Sequence, residues 1–297
     1  MPWSVLGQSY GGFCTVTYLS LAPEGMREAF ITGGLPGLYA SAEDVYRETY
    51  PIVAQKNVKH YERYPQDLDA VRRVAEHLRG REVRLPGGGT LTLEPFQALG
   101  RGLGQSTGSH RLHYLLEEAF VVGPAGPELS DTFLHGAEAE LSLAPSPLYA
   151  VLHEACYAAG TATRWAAQRV RAEFPQFSGE AALHTGAPVL FTGEMIYPWL
   201  FDLDPALRPL RDAAELLAER EDWPPLYDAD RLRANRVPVA AAVYHDDMYV
   251  PRTLSLETAA TIRGLRAWVT SEYDHDGLRV SDGRVLDRLI GMVRGTV

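Results

Sequence analysis

Trp3-Ser4-Val5-Leu6-Gly7-Gln8-Ser9-Tyr10-Gly11-Gly12-Phe13-Cys14 opens the chain with a short apolar run, a serine set among glycines, and a second apolar run. Trp3 to Leu6 reads as a short strand, and Phe13 to Leu19 as a helix that Ala22-Pro23-Glu24-Gly25 stops. Gly7-Gln8-Ser9-Tyr10-Gly11 fits G-x-S-x-G, in which glycines leave room for a strained strand-to-helix turn that lifts the serine hydroxyl above the sheet edge. Ser9 is therefore the candidate nucleophile, weighed against a plain glycine turn. Downstream, Ala29-Phe30-Ile31-Thr32-Gly33-Gly34 has the length and β-branched content of a second parallel strand closed by a glycine loop. The opening 35 residues read as one βαβ unit.

From about Ala42 to Ala234 the texture becomes helical, with long patterns over Ala42 to Tyr64, Asp67 to Leu78 and Pro147 to Phe174, broken by punctuation such as Leu85-Pro86-Gly87-Gly88-Gly89. Strand character returns at Val237 to Tyr244 and at Arg266 to Ser271, each followed by a helical pattern, Leu254 to Ile262 and Asp282 to Arg294. The ends alternate β and α while the middle is α, so the expected architecture is an α/β parallel sheet carrying a large, mostly helical cap. The expected partition is core over 1–41, cap over 42–234 and core again over 235–297.

Composition narrows the function classes. The 297 residues carry 28 Lys and Arg against 38 Asp and Glu, a formal charge of −10, which argues against nucleic-acid binding because phosphates need a basic face. Cys14 and Cys156 lie far apart with no Cys/His spacing of metal type, so they read as reduced thiols, with neither a disulfide framework nor a metal. No apolar run reaches the ~18 residues of a membrane span and the start lacks a basic, then apolar, export signal. The expectation is a cytoplasmic enzyme without cofactor, membrane partner or nucleic-acid partner.

A serine nucleophile needs a base and an orienting acid, in the chain order Ser, Asp or Glu, His for an α/β-hydrolase, with acid and base on loops after later strands. The strand ending at Tyr244 runs into His245-Asp246-Asp247-Met248-Tyr249-Val250-Pro251, and the strand ending at Ser271 into Glu272-Tyr273-Asp274-His275-Asp276-Gly277. Asp247 and His275 are the candidate acid and base, one helix and one strand apart; Asp246 competes with Asp247, which sits just past the strand end. His60, His77, His110, His113, His135, His153, His184 and His245 read as surface or satisfied-core residues. His153-Glu154-Ala155-Cys156 lacks the second histidine of H-E-x-x-H. Gly100-Arg101-Gly102-Leu103-Gly104 lacks the strand and acidic residue of a dinucleotide site and reads as a helix junction.

With those residues in hand, the sequence closely resembles the prolyl aminopeptidase (proline iminopeptidase) family of α/β-hydrolases, in its larger-cap bacterial branch. The matching stretches are Trp3 to Cys14, Tyr18 to Gly25, Leu112 to Glu117, Leu152 to Ala155, Phe191 to Met195 and Asp247 to Val250. The resemblance implies Ser9 as nucleophile, His275 as base, Asp247 as orienter and the backbone N–H of Tyr10 as an oxyanion donor, releasing proline from peptides that carry it at a free N-terminus. It also implies cap carboxylates for the substrate's amino group, because a cation drawn into a dry pocket needs an opposite charge. Glu154 and Glu194 are the candidates, each against a solvated or helix-capping role; Tyr157, Tyr197, Trp199 and Phe201 could wall a pyrrolidine pocket, against ordinary core packing.

The resemblance departs at the start, where family members carry further strands and a His-Gly-Gly-Pro-Gly oxyanion loop upstream of the elbow. Losing one oxyanion donor costs about 10²–10³ in rate, and losing neighbouring strands exposes a sheet edge. A start codon placed late, a complementing N-terminal segment on another polypeptide, and homo-oligomerisation stay open as explanations. So do two other functions, hydrolysis of a different ester or amide and a non-catalytic truncated remnant.

Overall fold

Eight strands form three sheets in the computed structural model, which describes residues 1–124 and 126–297. They are β1 Trp3–Gln8, β2 Met26–Thr32, β3 Val83–Arg84, β4 Thr90–Leu91, β5 Phe120–Gly123, β6 Gly126–Leu129, β7 Val239–Tyr244 and β8 Leu265–Thr270. The residues fall into two compact units: Met1–Thr49 with Gly104–Ser106 and Trp223–Val297, and Tyr50–Leu103 with Thr107–Asp222. The chain thus passes between units at 49/50 and 222/223, where the sequence reading put its joints at 41/42 and 234/235, and three residues from mid-chain count with the first unit.

Unit 1 is built on the parallel sheet β1-β2-β7-β8. Its central strands are buried on both faces because their side chains alternate between two apolar clusters. Ala29 and Ile31 of β2, with Val239, Ala241 and Val243 of β7, pack with Val16 and Leu19 of helix α1 (Tyr10–Leu21) and with Ile262. Phe30, Ala240, Ala242 and Tyr244 face the other way, onto Val285 and Leu289 of the helix Arg284–Arg294. Helices on both faces of a parallel sheet give the expected α/β class. β1 stands at one edge, with Trp3 and Leu6 exposed. Every strand of this sheet runs the same way, so its C-terminal ends share one rim, where the loops after β1, β2, β7 and β8 gather.

Unit 2 is mostly helical, holding the rest of helix α2 (Ala42–Arg63), helix α3 (Asp67–Leu78) and shorter helices. Two details differ from the sequence reading. The antiparallel pairs β3–β4 and β5–β6 interrupt the helical middle. The pattern from Pro147 to Phe174 is also no single helix, but Pro147–Leu152, a 3₁₀ turn Glu154–Tyr157 and Ala166–Arg171. Gly160, Arg164 and Trp165 between them take positive φ, which a helix cannot continue through. Tertiary bonds hold that break: Arg164 N donates to Ala218 O at 2.9 Å and Trp165 Nε1 to Glu215 at 3.0 Å.

Among the buried groups of unit 2 is a histidine–carboxylate chain. Ser109 Oγ lies 2.7 Å from His60 Nδ1, His60 Nε2 3.1 Å from Asp67, and Asp67 2.9 Å from His113 Nδ1. Burial holds the imidazoles of His60 and His153 below the ordinary histidine pKa, opposed by the charges of Asp67 and Glu194 respectively. Unfolded chains take these protons at about pH 6.5 and the folded chain only at lower pH, so the unfolded form binds the more protons once pH falls below about 6.5. Stability is therefore expected to fall with pH through that window. Thermal melts from pH 7.5 to 5 are expected to show a falling Tm that flattens in His60→Gln; a wild-type Tm constant over this range would contradict it.

Candidate active site

β1 ends at Gln8, and Ser9 turns the chain at φ 56° and ψ −123° before α1 begins at Tyr10. Such a backbone costs a residue with a Cβ about 1–3 kcal/mol and persists only where neighbours impose it. Here Ser9 N donates to Thr32 O at 2.9 Å and Gly12 N to Ser9 O at 2.7 Å. The space comes from particular glycines. A Cβ on Gly34 would stand 2.5 Å from the Ser9 carbonyl oxygen, and one on Gly12 would strike the Gly34 backbone. A Cβ on Gly11, the second glycine of the motif, would meet nothing within 4 Å, so the crowding falls on Gly7, Gly12 and Gly34. Gly34→Ala is expected to destabilise the protein by about 1–3 kcal/mol through overpacking. Gly11→Ala should leave the melting temperature unchanged or raised, and equal melts of the two variants would contradict this reading of the elbow.

Ser9, Asp247 and His275 come from the loops after β1, β7 and β8 and meet at the common rim. His275 Nε2 lies 2.9 Å from Ser9 Oγ, and His275 Nδ1 lies 2.7 Å from Asp247 Oδ2. Asp247 is almost fully buried, and its Oδ1 accepts from Tyr249 N at 2.9 Å and Val250 N at 3.1 Å. Those bonds keep the carboxylate satisfied without solvent and leave Oδ2 for the imidazole. A carboxylate on Nδ1 places the ring proton there and turns the lone pair of Nε2 to the serine, the arrangement that lets a histidine take a serine proton. Asp246 is elsewhere, 2.8 Å from His245 Nδ1 on the surface.

Further residues, unmarked in the sequence reading, shape this rim. Gln8 Nε2 donates to the His275 carbonyl at 3.0 Å, while its Oε1 accepts from Thr32 Oγ1. Gly33, at φ 49°, lies under the acid–base pair: a Cβ there would be 3.1 Å from both Asp247 Oδ2 and His275 Nδ1. Tyr249 presents its ring edge-on to His275, centroids 4.7 Å apart. The motif position of Gln8 and the pair Gly33-Gly34 were visible signals; their partners were not.

The other candidates lie in unit 2 and form two groups. Both carboxylate oxygens of buried Glu154 accept backbone N–H groups, Ala166 at 3.0 Å and Ala167 at 2.9 Å, at the start of the helix Ala166–Arg171. Tyr197, fully buried, lies 2.9 Å from the Tyr50 hydroxyl, stacks on Trp199, and has the Arg171 guanidinium 5.4 Å over its ring. Phe201 is core, packed with Trp165. In the second group, burial and then the charge of Glu194 push the Tyr149 phenol pKa up, and the same charge works against burial at His153. Tyr157 lies edge-on to His153 at 5.8 Å. Glu194 thus sits among polar rings, whereas Glu154 caps a helix. A hollow of about 550 Å³ in unit 2, lined by Leu85, Pro95, Leu141 and Leu203 among others, touches none of these residues. Among the described residues no cluster of three or more His, Cys, Asp or Glu is placed to hold a metal, and no helix is long and apolar enough to cross a membrane.

Over 99% of its length the chain is 47% identical to a proline iminopeptidase of Aeromonas sobria, of which it covers 67%. The chain belongs to the proline iminopeptidase family. A second relative, a proline iminopeptidase of Aspergillus aculeatus, is 31% identical over 98% of the chain and 64% of its own length. The chain spans about two thirds of the length of these curated relatives. No protein-family model matches it. Among solved structures it is similar to MGS-M2, an α/β hydrolase from a deep-sea metagenome, at 10% identity and a TM-score of 0.34, covering 97% of this chain and 64% of that one; a likeness so shallow carries no weight. Membership of the proline iminopeptidase family therefore rests on sequence.

Proposed function

We propose that this member of the proline iminopeptidase family releases proline from the free N-terminus of peptides by acyl transfer through Ser9. The observation that carries the reading is the series Ser9 Oγ, His275 Nε2, His275 Nδ1 and Asp247 Oδ2, linked at 2.9 and 2.7 Å. Ser9 Oγ attacks the carbonyl of the first residue while His275 Nε2 takes the hydroxyl proton and Asp247 stabilises the imidazolium. The Tyr10 N–H, at the start of α1, donates to the oxyanion, with the positive end of the helix dipole behind it. The tetrahedral adduct then breaks its C–N bond, His275 returns the proton to the departing amine, and a shortened peptide leaves. Water, deprotonated by His275, hydrolyses the prolyl ester, and free proline and the Ser9 hydroxyl are regenerated.

A substrate with a cationic amino end needs a carboxylate. In this reading Glu194 takes that charge with Tyr157 beside it, while Glu154 and Tyr197 hold the framework around Arg171. The geometry favours this division because the oxygens of Glu154 already accept two amides and Tyr197 is fully buried. Prolyl-naphthylamide should be turned over at least ~10²-fold better than its N-acetyl counterpart, since a site built for a buried polar group strongly rejects the analogue lacking it. Glu194→Gln should raise KM for the free-amine substrate ~10-fold or more and leave fluorophosphonate labelling of Ser9 unchanged. Equal turnover of acetylated and free substrates would overturn the aminopeptidase reading and favour hydrolysis of another ester or amide.

A further inference from the structure

His275 lies five residues beyond β8, on a loop, yet its ring must hold a position good to a fraction of an ångström. Both sides of its backbone are fixed from far away in sequence. Its carbonyl accepts from Gln8 Nε2 at 3.0 Å, and its N–H donates to the carbonyl of Gly104 at 3.1 Å. Gly104 begins the three-residue segment Gly104–Ser106, which counts with unit 1 although Leu103 before it and Thr107 after it belong to unit 2.

The far end of that segment grips the next residue of the same loop. Ser106 N donates to Asp276 Oδ1 at 3.1 Å and Ser106 Oγ to Asp276 Oδ2 at 2.8 Å, across 170 residues of sequence. The near end is shaped for close approach: a Cβ on Gly104 would run into the Tyr249 ring, the ring that stands edge-on to His275 and whose own N–H donates to Asp247. Gly104, Tyr249, Asp247 and His275 therefore close a circuit of contacts around the imidazole. The last glycine of Gly100-Arg101-Gly102-Leu103-Gly104 is explained by that circuit.

We infer that Gly104–Ser106 is a strap that seats the His275 loop, and that Gly104, Ser106 and Asp276 are positioning residues for the base. This rests on His275 acting as base in the proposed reaction. The strap bonds to the backbone N–H of His275 and to the side chain of Asp276, so it acts on where the imidazole stands.

The test uses the full chain with Ser106→Ala, Asp276→Ala, the double variant, Gly104→Ala and Ser106→Thr. Two readouts are taken: the rate of Ser9 labelling by a fluorophosphonate, and amide deuterium exchange of peptides covering 271–277. Labelling depends on activation of Ser9 and not on which peptide is cleaved, so it separates failure of the strap from failure of the proline reading. Misplacing a catalytic group by an ångström can cost about 10²-fold, so Ser106→Ala is expected to label about tenfold more slowly and Gly104→Ala up to about 100-fold more slowly. Exchange over 271–277 should quicken in both while β2 stays protected. The double variant should be no slower than Asp276→Ala, because losing that carboxylate already removes both bonds from Ser106, and Ser106→Thr should restore the wild-type rate. If Gly104→Ala does not fold, Ser106→Ala and Asp276→Ala carry the test, and exchange reads the loop whether or not Ser9 reacts. Wild-type exchange over 271–277 in folded Ser106→Ala and Asp276→Ala would overturn the inference, as would wild-type labelling in them.

Discussion

Ser9→Ala is expected to lower kcat for prolyl substrates by about 10⁶, to near the background left by binding and oxyanion contacts, with KM little changed. The size follows from what the hydroxyl does. Ser9 Oγ is the atom within 2.9 Å of His275 Nε2, and without it no acyl-enzyme forms, so the base has no nucleophile to deprotonate. Alanine leaves the elbow's φ of 56° and its backbone bonds to Thr32 and Gly12 in place, so the fold should survive. His275→Ala should cost about as much, because residues that act as one unit fail together. Steady-state kinetics with prolyl-naphthylamide decide it: a Ser9→Ala enzyme within tenfold of wild type would remove Ser9 from the reaction.

Asp247→Asn should cost about 10⁴ in kcat, a larger loss than the small change in shape suggests. Oδ1 of Asp247 faces two N–H donors, from Tyr249 and Val250, so the amide oxygen of an asparagine must take that place. The amide NH₂ is thereby turned to His275 Nδ1, which must then accept. The ring proton moves to Nε2, the nitrogen facing Ser9, and the imidazole can no longer take the serine's proton. Asp246→Asn is the matched control, since Asp246 pairs with His245 at the surface and should leave kcat within about twofold. If the Asp247 and Asp246 variants lose activity equally, the carboxylate has been assigned to the wrong residue. The same proton argument gives the pH dependence: activity should fall on the acid side as His275 protonates, because an imidazolium has no lone pair for the Ser9 proton.

The sheet was legible because local signals there agree with tertiary ones. Trp3 to Leu6, Ala29 to Thr32 and Val237 to Tyr244 are short apolar runs bounded by glycine or polar loops, and they lie within or across β1, β2 and β7. The buried central strands β2 and β7 of a two-sided parallel sheet demand such runs, while β1 at the edge keeps the apolar character with Trp3 and Leu6 exposed. The candidate site was legible to the extent that its residues sit in loops directly after strands, where a parallel sheet must gather them: Ser9 after β1, Asp247 after β7, His275 after β8. Helical spacing misled at Pro147 to Phe174, where the break at Arg164 and Trp165 is stabilised by partners fifty or more residues away. Gly104 and Ser106 were illegible for a related reason. A three-residue segment has no periodicity, and its meaning lies in Tyr249, His275 and Asp276, which meet it only after the sheet has formed. The glutamates were the hardest: an acidic residue in an apolar stretch reads alike whether it caps a helix, as Glu154 does, or sits among tyrosine and histidine rings, as Glu194 does.

The most direct measurement is fluorophosphonate labelling of the full chain, followed by peptide mapping of the phosphonylated residue in wild type, His275→Ala and Asp247→Asn. One phosphonyl group per chain on Ser9, formed at least ~10³-fold more slowly in both variants, is the expected result. A label carried by any other residue, or equal rates at Ser9 with and without the imidazole of His275, would contradict it.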